Sequence, residues 1–478
     1  MPRLLLPSSL IVVAGSLVAL WVGRPQAAER PAPNVDATKK EIFAPLGVSS
    51  CASAACHHGN SERGSVGSEY GTWVALDPHA KAYNALYKPE SVRMNAAMAG
   101  GDEVLREKGA HRNPLCLRCH GMGDSAPEAQ HADGVGCERC HGNAEKWKAT
   151  HYLPGFDRKR EGFVDLRDMP VRVETCVKCH VGDGSMEVDH DLIAAGHPRL
   201  RFEYGAYYAN YPKHWAEVES GDKKTKGEDD EVKGWLLGQI VSARCAAELL
   251  AHRADHKPES WPEFAEYDCA ACHHSLTKNF RAKRDVALAE KKPRVEIPLG
   301  RLPWGTWYNP LLPTLAKATK ADREKLDAPR KRLEELMRKN VPVKGLVSKE
   351  ANAFARELRV WEKAVAGRSF DADQTRVLMQ ALAGRAETVN SGWDGGTQVY
   401  LGLAALHNGL TDLDPEMERP TPFLAPLRAM RRGLADAYPK GQKARPRYDI
   451  PSEYAPAPLA ESLKSILELV ESKNATRD

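Results

Sequence analysis

The sequence lacks the features of a nucleic-acid-binding protein. Its 68 Lys and Arg residues nearly balance 64 Asp and Glu residues, so the net charge is only +4, and aromatic residues make up 7% of the chain. A nucleic-acid surface needs clustered positive charge, and no stretch of this chain interleaves basic and aromatic residues. We therefore expect no nucleic-acid partner. The remaining composition, 42% apolar and 28% charged, is that of an ordinary globular protein.

Long apolar runs are also lacking, except at the N-terminus. Arg3 precedes an apolar segment from Leu4 to Gly23, which is followed by Arg24, Pro25 and Gln26-Ala27-Ala28, with small residues at the end. This pattern predicts a secretory signal peptide over residues 1–28. An uncleaved membrane anchor is the alternative, because the run approaches the roughly 20 residues that a spanning helix needs. Both interpretations export the rest of the chain, and we expect a periplasmic protein.

Cysteine is lacking after residue 272, and all eleven cysteines lie between Cys51 and Cys272. In an exported protein, eleven cysteines first suggest a set of disulfides and one unpaired thiol. The spacing indicates something else, because the pattern C-x-x-C-H occurs four times. The four copies are Cys116-Leu-Arg-Cys119-His120, Cys137-Glu-Arg-Cys140-His141, Cys176-Val-Lys-Cys179-His180 and Cys269-Ala-Ala-Cys272-His273.

This repeated pattern predicts covalently attached haem c. Two thiols one helical turn apart each form a thioether to a vinyl group of one haem, and the adjacent His becomes the proximal iron ligand. Zinc is the weaker alternative, because cysteine pairs would have to combine into four-ligand sites. Zinc binding also leaves unexplained why a His follows the second Cys every time.

A fifth motif has a wider gap. In Cys51-Ala-Ser-Ala-Ala-Cys56-His57 four residues separate the cysteines, yet the His again follows at once. We interpret it as a fifth haem site, the alternative being a local disulfide beside a surface His. Ten of the eleven cysteines then bind haem. Cys245, in an apolar helical stretch, is expected to be a buried, unreactive thiol.

Twelve of the 17 histidines remain after five proximal ligands are assigned, enough for a second His on every iron. The preferred distal candidates are His79, His151 and His197, followed by His131 and His190. His197 lies between Gly196 and Pro198, which are expected to end a helix and aim the ring. The weaker candidates are His58, His274, His111, His214, His252 and His256. We expect Arg199 and Arg201 to pair with haem propionates.

The predicted architecture is mainly α. Residues 29–48 form a linker, residues 49–285 a pentahaem cytochrome c domain with the haems as its core, and residues 290–478 a haem-free helical bundle. About 45 residues per haem are too few for separate apolar cores. The charged run over residues 217–233 is expected to be a loop.

Sequence patterns predict several helices in the C-terminal part. They cover residues 328–339, Ser348 to about Gly367, a helix opened by a capping box of Asp371 and Gln374, Trp393 to Leu406 with a stop at Asn408-Gly409, Phe423–Tyr438 and Pro458–Glu471. This region contains no catalytic motif. Its one histidine, His407, is expected to be structural.

Several stretches of the haem region resemble the cytochrome c-554 (c-552/c-554) family. They are Asp77-Pro-His-Ala-Lys-Ala-Tyr83, Gly134-Val-Gly-Cys-Glu-Arg-Cys-His-Gly142, Gly196-His-Pro-Arg-Leu200 and, as in longer members, residues 261–274. The resemblance covers about residues 49–280 and implies closely stacked, mostly bis-His haems in a helical periplasmic protein. It also implies distal ligands at His79, His151 and His197. The fifth site and the C-terminal helices depart from the tetrahaem namesake, whose partner enzyme is therefore not transferred.

Three functions remain open from the sequence. The first is an electron carrier between redox protein partners, a donor and an acceptor. The second is a multihaem oxidoreductase of the hydroxylamine-oxidoreductase or reductase kind, which needs one haem with an open coordination position. The chain has no C-x-x-C-K, the mark of the catalytic haem in pentahaem nitrite reductases, and we assign no catalytic residue. The third is a docking subunit whose helical bundle binds a partner.

Overall fold

Helices form nearly all of the regular structure. The structure is a computed structural model that describes residues 44–100, 102–158, 162–215, 229–256, 261–273, 302–414, 417, 421–437 and 454–475. Within these residues the β structure is a single isolated bridge between Tyr267 and Trp304. The mainly α prediction is confirmed. The predicted signal segment 1–28, most of the linker, His274, most of the charged run 217–233 and the boundary near 285–290 lie outside the described residues.

The helices up to residue 210 are short, and most of the helices after it are longer. The short helices are α1 (Glu69–Leu76), α2 (Pro89–Ala99), α3 (Glu103–Lys108), α4 (Pro114–His120), α5 (Cys137–His141), α6 (Met169–His180), α7 (His190–Ala195) and α8 (Tyr204–Asn210). They are followed by α9 (Asp230–His256), α10 (Leu312–Ala318), α11 (Arg323–Met337), α12 (Lys344–Ala366), α13 (Ala372–Ala383), α14 (Ala386–Asn390), α15 (Trp393–Leu413), α16 (Leu424–Ala435) and α17 (Ala457–Ala475). Short 3₁₀ turns connect them, including Pro78–Lys81, Glu128–Asp133 and Cys269–Ala271.

Three of the regular Cys motifs end helices. Each of α4, α5 and α6 has the motif His as its last residue. Residues three apart on a helix share a face, so the two thiols of each motif point the same way. The backbone therefore sets up the local geometry that two thioether bonds to one group require.

Helix α9 lies at the centre of the apolar core. Trp235, Leu237 and Ile240 are fully buried in one cluster that also contains Val177 of α6 and Leu406 of α15. Gly238 and Gly402 permit close contact, since a Cβ on either would meet a side chain, Tyr204 or Trp235 respectively, at 2.6 Å. The ranges predicted as haem domain and helical bundle thus share one core.

The helix predictions are partly confirmed. Asp371 and Gln374 form the predicted capping box at the start of α13. The predicted stop at Asn408-Gly409 is wrong, because α15 continues to Leu413. A side chain at Gly409 would collide with Val232, so the glycine serves the packing of α15 on α9 rather than a helix end. Ser348 is not a helix start either, since α12 begins at Lys344.

Arg244 holds three elements together in this core. Its guanidinium has 0% exposure and contacts Glu362 of α12 at 2.8 Å, Glu248 at 3.0 Å and Glu174 of α6 at 3.1 Å. A buried charge is tolerated only when it is paired and hydrogen-bonded. The cluster therefore fixes how α6, α9 and α12 meet.

Arg244→Ala is expected to lower the free energy of unfolding by about 3–5 kcal/mol, because it leaves the buried Glu362 carboxylate without its partner. Urea unfolding of the haem-loaded protein, followed by far-ultraviolet circular dichroism, measures the change. Arg359→Ala is the matched control, since Arg359 also binds Glu248, at 2.9 Å, but is 45% exposed. We expect the control to cost about 0.2–1 kcal/mol. Equal losses in the two variants would contradict the assignment.

Candidate haem-binding site

Four of the five motifs line one large cavity. Its volume is about 2030 Å³, and its lining residues include the cysteines and histidines of the first four motifs, Cys51, Cys56, His57, Cys116, Cys119, His120, Cys137, Cys140, His141, Cys176, Cys179 and His180. Protein interiors are normally close-packed, and a pocket for one small molecule measures about 300–1,000 Å³. A lining of this size and composition fits several large apolar groups. The motif at residues 269–273 lies apart from this lining.

Each of the five motif histidines faces another histidine at nearly the same distance. The ring centroids are separated by 6.0 Å for His57 and His151, 6.4 Å for His120 and His197, 6.3 Å for His141 and His214, 5.9 Å for His180 and His79, and 6.3 Å for His273 and His190. No histidine is used twice. The sequence separation within a pair ranges from tens of residues to about a hundred, so the tertiary fold brings the partners together.

This separation fits two imidazoles on opposite sides of one metal ion. A metal–nitrogen bond is about 2.0–2.1 Å and the ring centre lies about 1 Å beyond the nitrogen, so the two centres are about 6 Å apart. The one other histidine pair in the described part, His252 and His256 on α9, is stacked at 4.3 Å, too close for such an arrangement. The five pairs therefore match the donor set of bis-His haem iron.

Hydrogen bonds at Nδ1 orient several of these rings. The Nδ1 atoms of His120, His151 and His197 lie 3.1, 2.8 and 2.8 Å from the backbone oxygens of Ala82, Lys148 and Pro198. A carbonyl oxygen only accepts, so each Nδ1 carries the hydrogen and each Nε2 keeps a lone pair. Metal-binding histidines are typically oriented in this way.

Two rings instead face carboxylates. His57 Nδ1 lies 3.2 Å from Glu69 Oε2, and His79 Nδ1 lies 2.9 Å from Asp77 Oδ1. The Glu69 hydrogen bond raises the pKa of His57. Burial disfavours charge on His79, but the hydrogen bond and charge of Asp77 outweigh it and raise the pKa of His79. The hydroxyl of Tyr211 donates to the other Asp77 oxygen at 2.6 Å.

Burial favours the neutral form of several other imidazoles in these pairs. Desolvation lowers the pKa of His141 to about 4 and that of His180 to about 4. Desolvation also lowers the pKa of His120 and of His214. A neutral imidazole is the form that binds a metal.

Local structure places the partner rings. Asp77 caps the turn Pro78–Lys81 through the His79 amide, which fixes the residue that carries the ring. Gly196 ends α7 with φ +120°, a conformation that glycine adopts easily, and His197 follows it. His190 is the first residue of the same helix, so α7 carries a partner histidine at its start and another just past its end.

The structure brings together most of the predicted ligand residues. His79, His151, His197 and His190 each face one motif histidine. His131 does not and is replaced by His214, which was among the weakest candidates. His131 is buried on the turn Glu128–Asp133 behind Gly121, where its Nδ1 would lie 2.8 Å from a Cβ on that glycine. It therefore packs on the loop after His120 rather than lining the cavity.

The sequence around His214 also contains a signal for a stiff loop that could carry a ligand. His214 lies in Tyr211-Pro-Lys-His-Trp215, where a proline and flanking aromatic rings restrict the loop, much as Gly196 and Pro198 restrict His197. Its ring packs edge-on against Trp215 at a centroid distance of 5.1 Å. Cys245 is buried and burial raises its thiol pKa to about 12, as expected for an unreactive thiol.

The alternatives to haem have little structural support. No two of the eleven cysteines are joined by a disulfide. Among the described residues no group of three or more His, Cys, Asp or Glu side chains is arranged to hold a metal ion, as a four-ligand zinc site would require. The motif residues instead form two-histidine pairs beside paired thiols.

Helical motifs with paired thiols and facing histidines fit the attachment of haem c. A family model described as "Cytochrome c554 and c-prime" matches residues 50–142, which contain the first three motifs. Within this segment the match supports covalently bound haem c with iron, and electron transfer as the activity. The comparison with curated proteins and the comparison with solved structures each gave no match.

Asp77→Asn is expected to raise the reduction potential of one haem by tens of millivolts, where 59 mV is a tenfold change in equilibrium constant. The buried carboxylate draws the Nδ1 proton of His79, makes the ring a stronger donor and so favours the oxidised iron. Spectroelectrochemical titration of the haem-loaded protein measures the shift.

Tyr211→Phe provides a control of opposite sign. It removes the hydroxyl that competes for the Asp77 carboxylate, so the same haem should shift to lower potential. Shifts in the same direction in both variants, or none in either, would show that Asp77 does not act through His79.

Proposed function

We propose that this protein is an exported pentahaem c-type cytochrome that carries electrons between redox protein partners in the periplasm. Haem c held between two histidines supplies one-electron transfer at iron and no open position for a substrate. The chain's own residues attach the haems through ten thiols, orient the axial rings and surround the macrocycles with apolar side chains.

The observation that carries this proposal is the set of five facing histidine pairs. The wide motif at Cys51–His57 lines the same cavity as three regular motifs, and its His57 has a partner at 6.0 Å like the others. This equivalence supports a haem at the wide motif. His273 and His190 support a fifth haem outside the main cavity in the same way.

The same pairs favour a carrier over an enzyme. A multihaem oxidoreductase needs at least one iron with a free position and acid–base groups beside it. Here every motif histidine has a histidine partner within the described residues, so the donor set supports five saturated irons. The alternative function is a multihaem oxidoreductase. It requires that one histidine of a pair does not bind the iron in solution, which would leave a coordination position for a substrate.

Two motifs reach the surface, where electrons can be exchanged with partners. Cys56 of the first motif and Cys272 and His273 of the last are exposed. Among the described residues no helix has the length and apolarity to cross a membrane. Export, by a cleaved signal peptide or by an anchor over residues 1–28, is part of the proposal because haem attachment requires reduced cysteines outside the cytoplasm.

The exported protein is expected to carry five covalent haems. Its intact mass should exceed the mass of the processed apo chain by five haem masses, and acid–acetone extraction should leave the colour on the protein, because thioethers hold the haem. The double variant Cys51→Ala, Cys56→Ala should carry four. A wild-type gain of four, with Cys51 and Cys56 open to alkylation, would remove the fifth haem from the proposal.

His214→Ala is expected to open one iron, whereas His131→Ala should open none. The unmutated protein should be entirely low-spin in electron paramagnetic resonance and bind no carbon monoxide when reduced. The His214 variant should gain a high-spin signal and bind one carbon monoxide per chain, with all haems still attached. Carbon monoxide binding by the unmutated protein would instead support the oxidoreductase alternative.

A further inference from the structure

The loop that carries His197 is held mainly by residues from the C-terminal part of the chain. We call residues 197–202 the ligand loop. Trp307 Nε1 donates to the Phe202 oxygen at 2.8 Å, and the Tyr308 hydroxyl donates to the Leu200 oxygen at 3.2 Å. These bonds fix the loop's backbone, which has no helix or strand of its own to satisfy its carbonyls.

The charges of the ligand loop are also paired from the C-terminal part. Arg201 Nε lies 3.4 Å from Asp394 Oδ1, and Arg199 Nη1 lies 4.0 Å from Asp394 Oδ2. Asp394, in the first turn of α15, also accepts from the Thr306 hydroxyl at 2.7 Å. The two arginines that the sequence predicts to pair with haem propionates thus share a buried carboxylate. Arg201 lies over the Trp393 ring as well, 5.2 Å from its centroid.

The ligand loop reaches two of the histidine pairs. His197 at its start faces His120, and the Phe202 ring at its end stacks on His180 at a centroid distance of 5.0 Å. The side chain of Arg199 also donates to Cys269 Sγ of the motif Cys269–His273 at 3.5 Å. A displacement of this loop would therefore be felt at more than one haem site.

The same C-terminal segment holds the polypeptide just before the motif Cys269–His273. Trp304 pairs with Tyr267 in the isolated bridge, its Nε1 lies 3.3 Å from Glu266 Oε2, and the Asp268 amide donates to the Pro303 oxygen at 2.9 Å. Residues 303–308 thus lie between the ligand loop and the loop that leads into Cys269.

We propose that Asp394, with the segment 303–308, positions His197 as an axial ligand, so that the C-terminal helices act as a clamp on the haem loops. Asp394 is a positioning residue that acts through Arg199 and Arg201 and touches no haem. This inference rests on the proposed function, because it assumes that His197 and His120 bind one iron. The inference gives the C-terminal helices a positioning role. The competing role for these helices is the docking of a redox partner.

Asp394→Asn tests the clamp in the full, haem-loaded chain. The amide keeps the shape but leaves two largely buried guanidinium groups without a counter-charge, so the loop must shift to solvate them. We expect five attached haems, a new high-spin signal and a carbon monoxide-binding fraction that rises from zero towards the one haem per chain opened by His197→Ala. The combination of both substitutions should bind no more than His197→Ala alone. Asp394→Glu should largely restore the low-spin state.

Asp371→Asn is the matched control, because Asp371 likewise lies at the N-terminus of a helix of the C-terminal part but contacts no haem loop. It should remain low-spin. If Asp394→Asn stays fully low-spin while His197→Ala opens a haem, the clamp is wrong and the proposed function stands. If His197→Ala opens none, the axial assignment itself fails. Should Asp394→Asn not accumulate, Trp307→Phe, which removes the bond to Phe202 and part of the ring that stacks on Trp393, must give the same partial opening or the proposal is overturned.

Discussion

The structure depends on one spacing, the roughly 6 Å between the two imidazoles of each pair. The motif histidine is fixed by the two cysteines beside it, but its partner comes from a distant part of the chain and must arrive at one distance. Five such pairs occur, with centroid separations from 5.9 to 6.4 Å. His79 lies in the turn Pro78–Lys81, His190 begins α7, and His197 follows the glycine that ends α7. Each of these local structures places a ring at that distance from its motif histidine.

The large cavity follows from the same constraint. Short helices with long loops cannot bury much apolar surface against one another, and four sets of motif residues face a space of about 2030 Å³. Under the proposed function, haem groups in this cavity would supply much of the apolar contact of this part. The dense core around α9 is of the ordinary kind, with Trp235, Leu237 and Ile240 fully buried. The proposal therefore predicts a helical scaffold that packs by itself beside a region that packs around its haems.

The chemistry of the site was easier to predict than its geometry. A cysteine pair followed by His is a local pattern, so the sequence alone predicts ten attachment cysteines and five motif histidines. A partner histidine has no local requirement except a stiff backbone, so the sequence favours His197 and His79 over His214, although the structure brings all three opposite a motif histidine. The closeness of His131 to Cys137 in sequence says nothing about the side of the loop on which it packs, and the structure places His131 outside the cavity lining. The end of α15 failed for a similar reason, since the contact of Gly409 with Val232 is a tertiary one.

The histidine rings differ in the groups that accept a hydrogen bond from Nδ1, and this gives the five pairs unequal electrostatics. His120, His151 and His197 donate to backbone oxygens, which carry only a partial charge, whereas His57 and His79 face whole carboxylates. Asp77 is itself buried and shared with Tyr211, so its charge is little screened by water. Such a partner would strengthen the imidazole as a donor and favour the oxidised form of an iron bound to it. Under the proposed function, irons held by otherwise equivalent ligand pairs would therefore differ in potential because of residues that do not touch the metal.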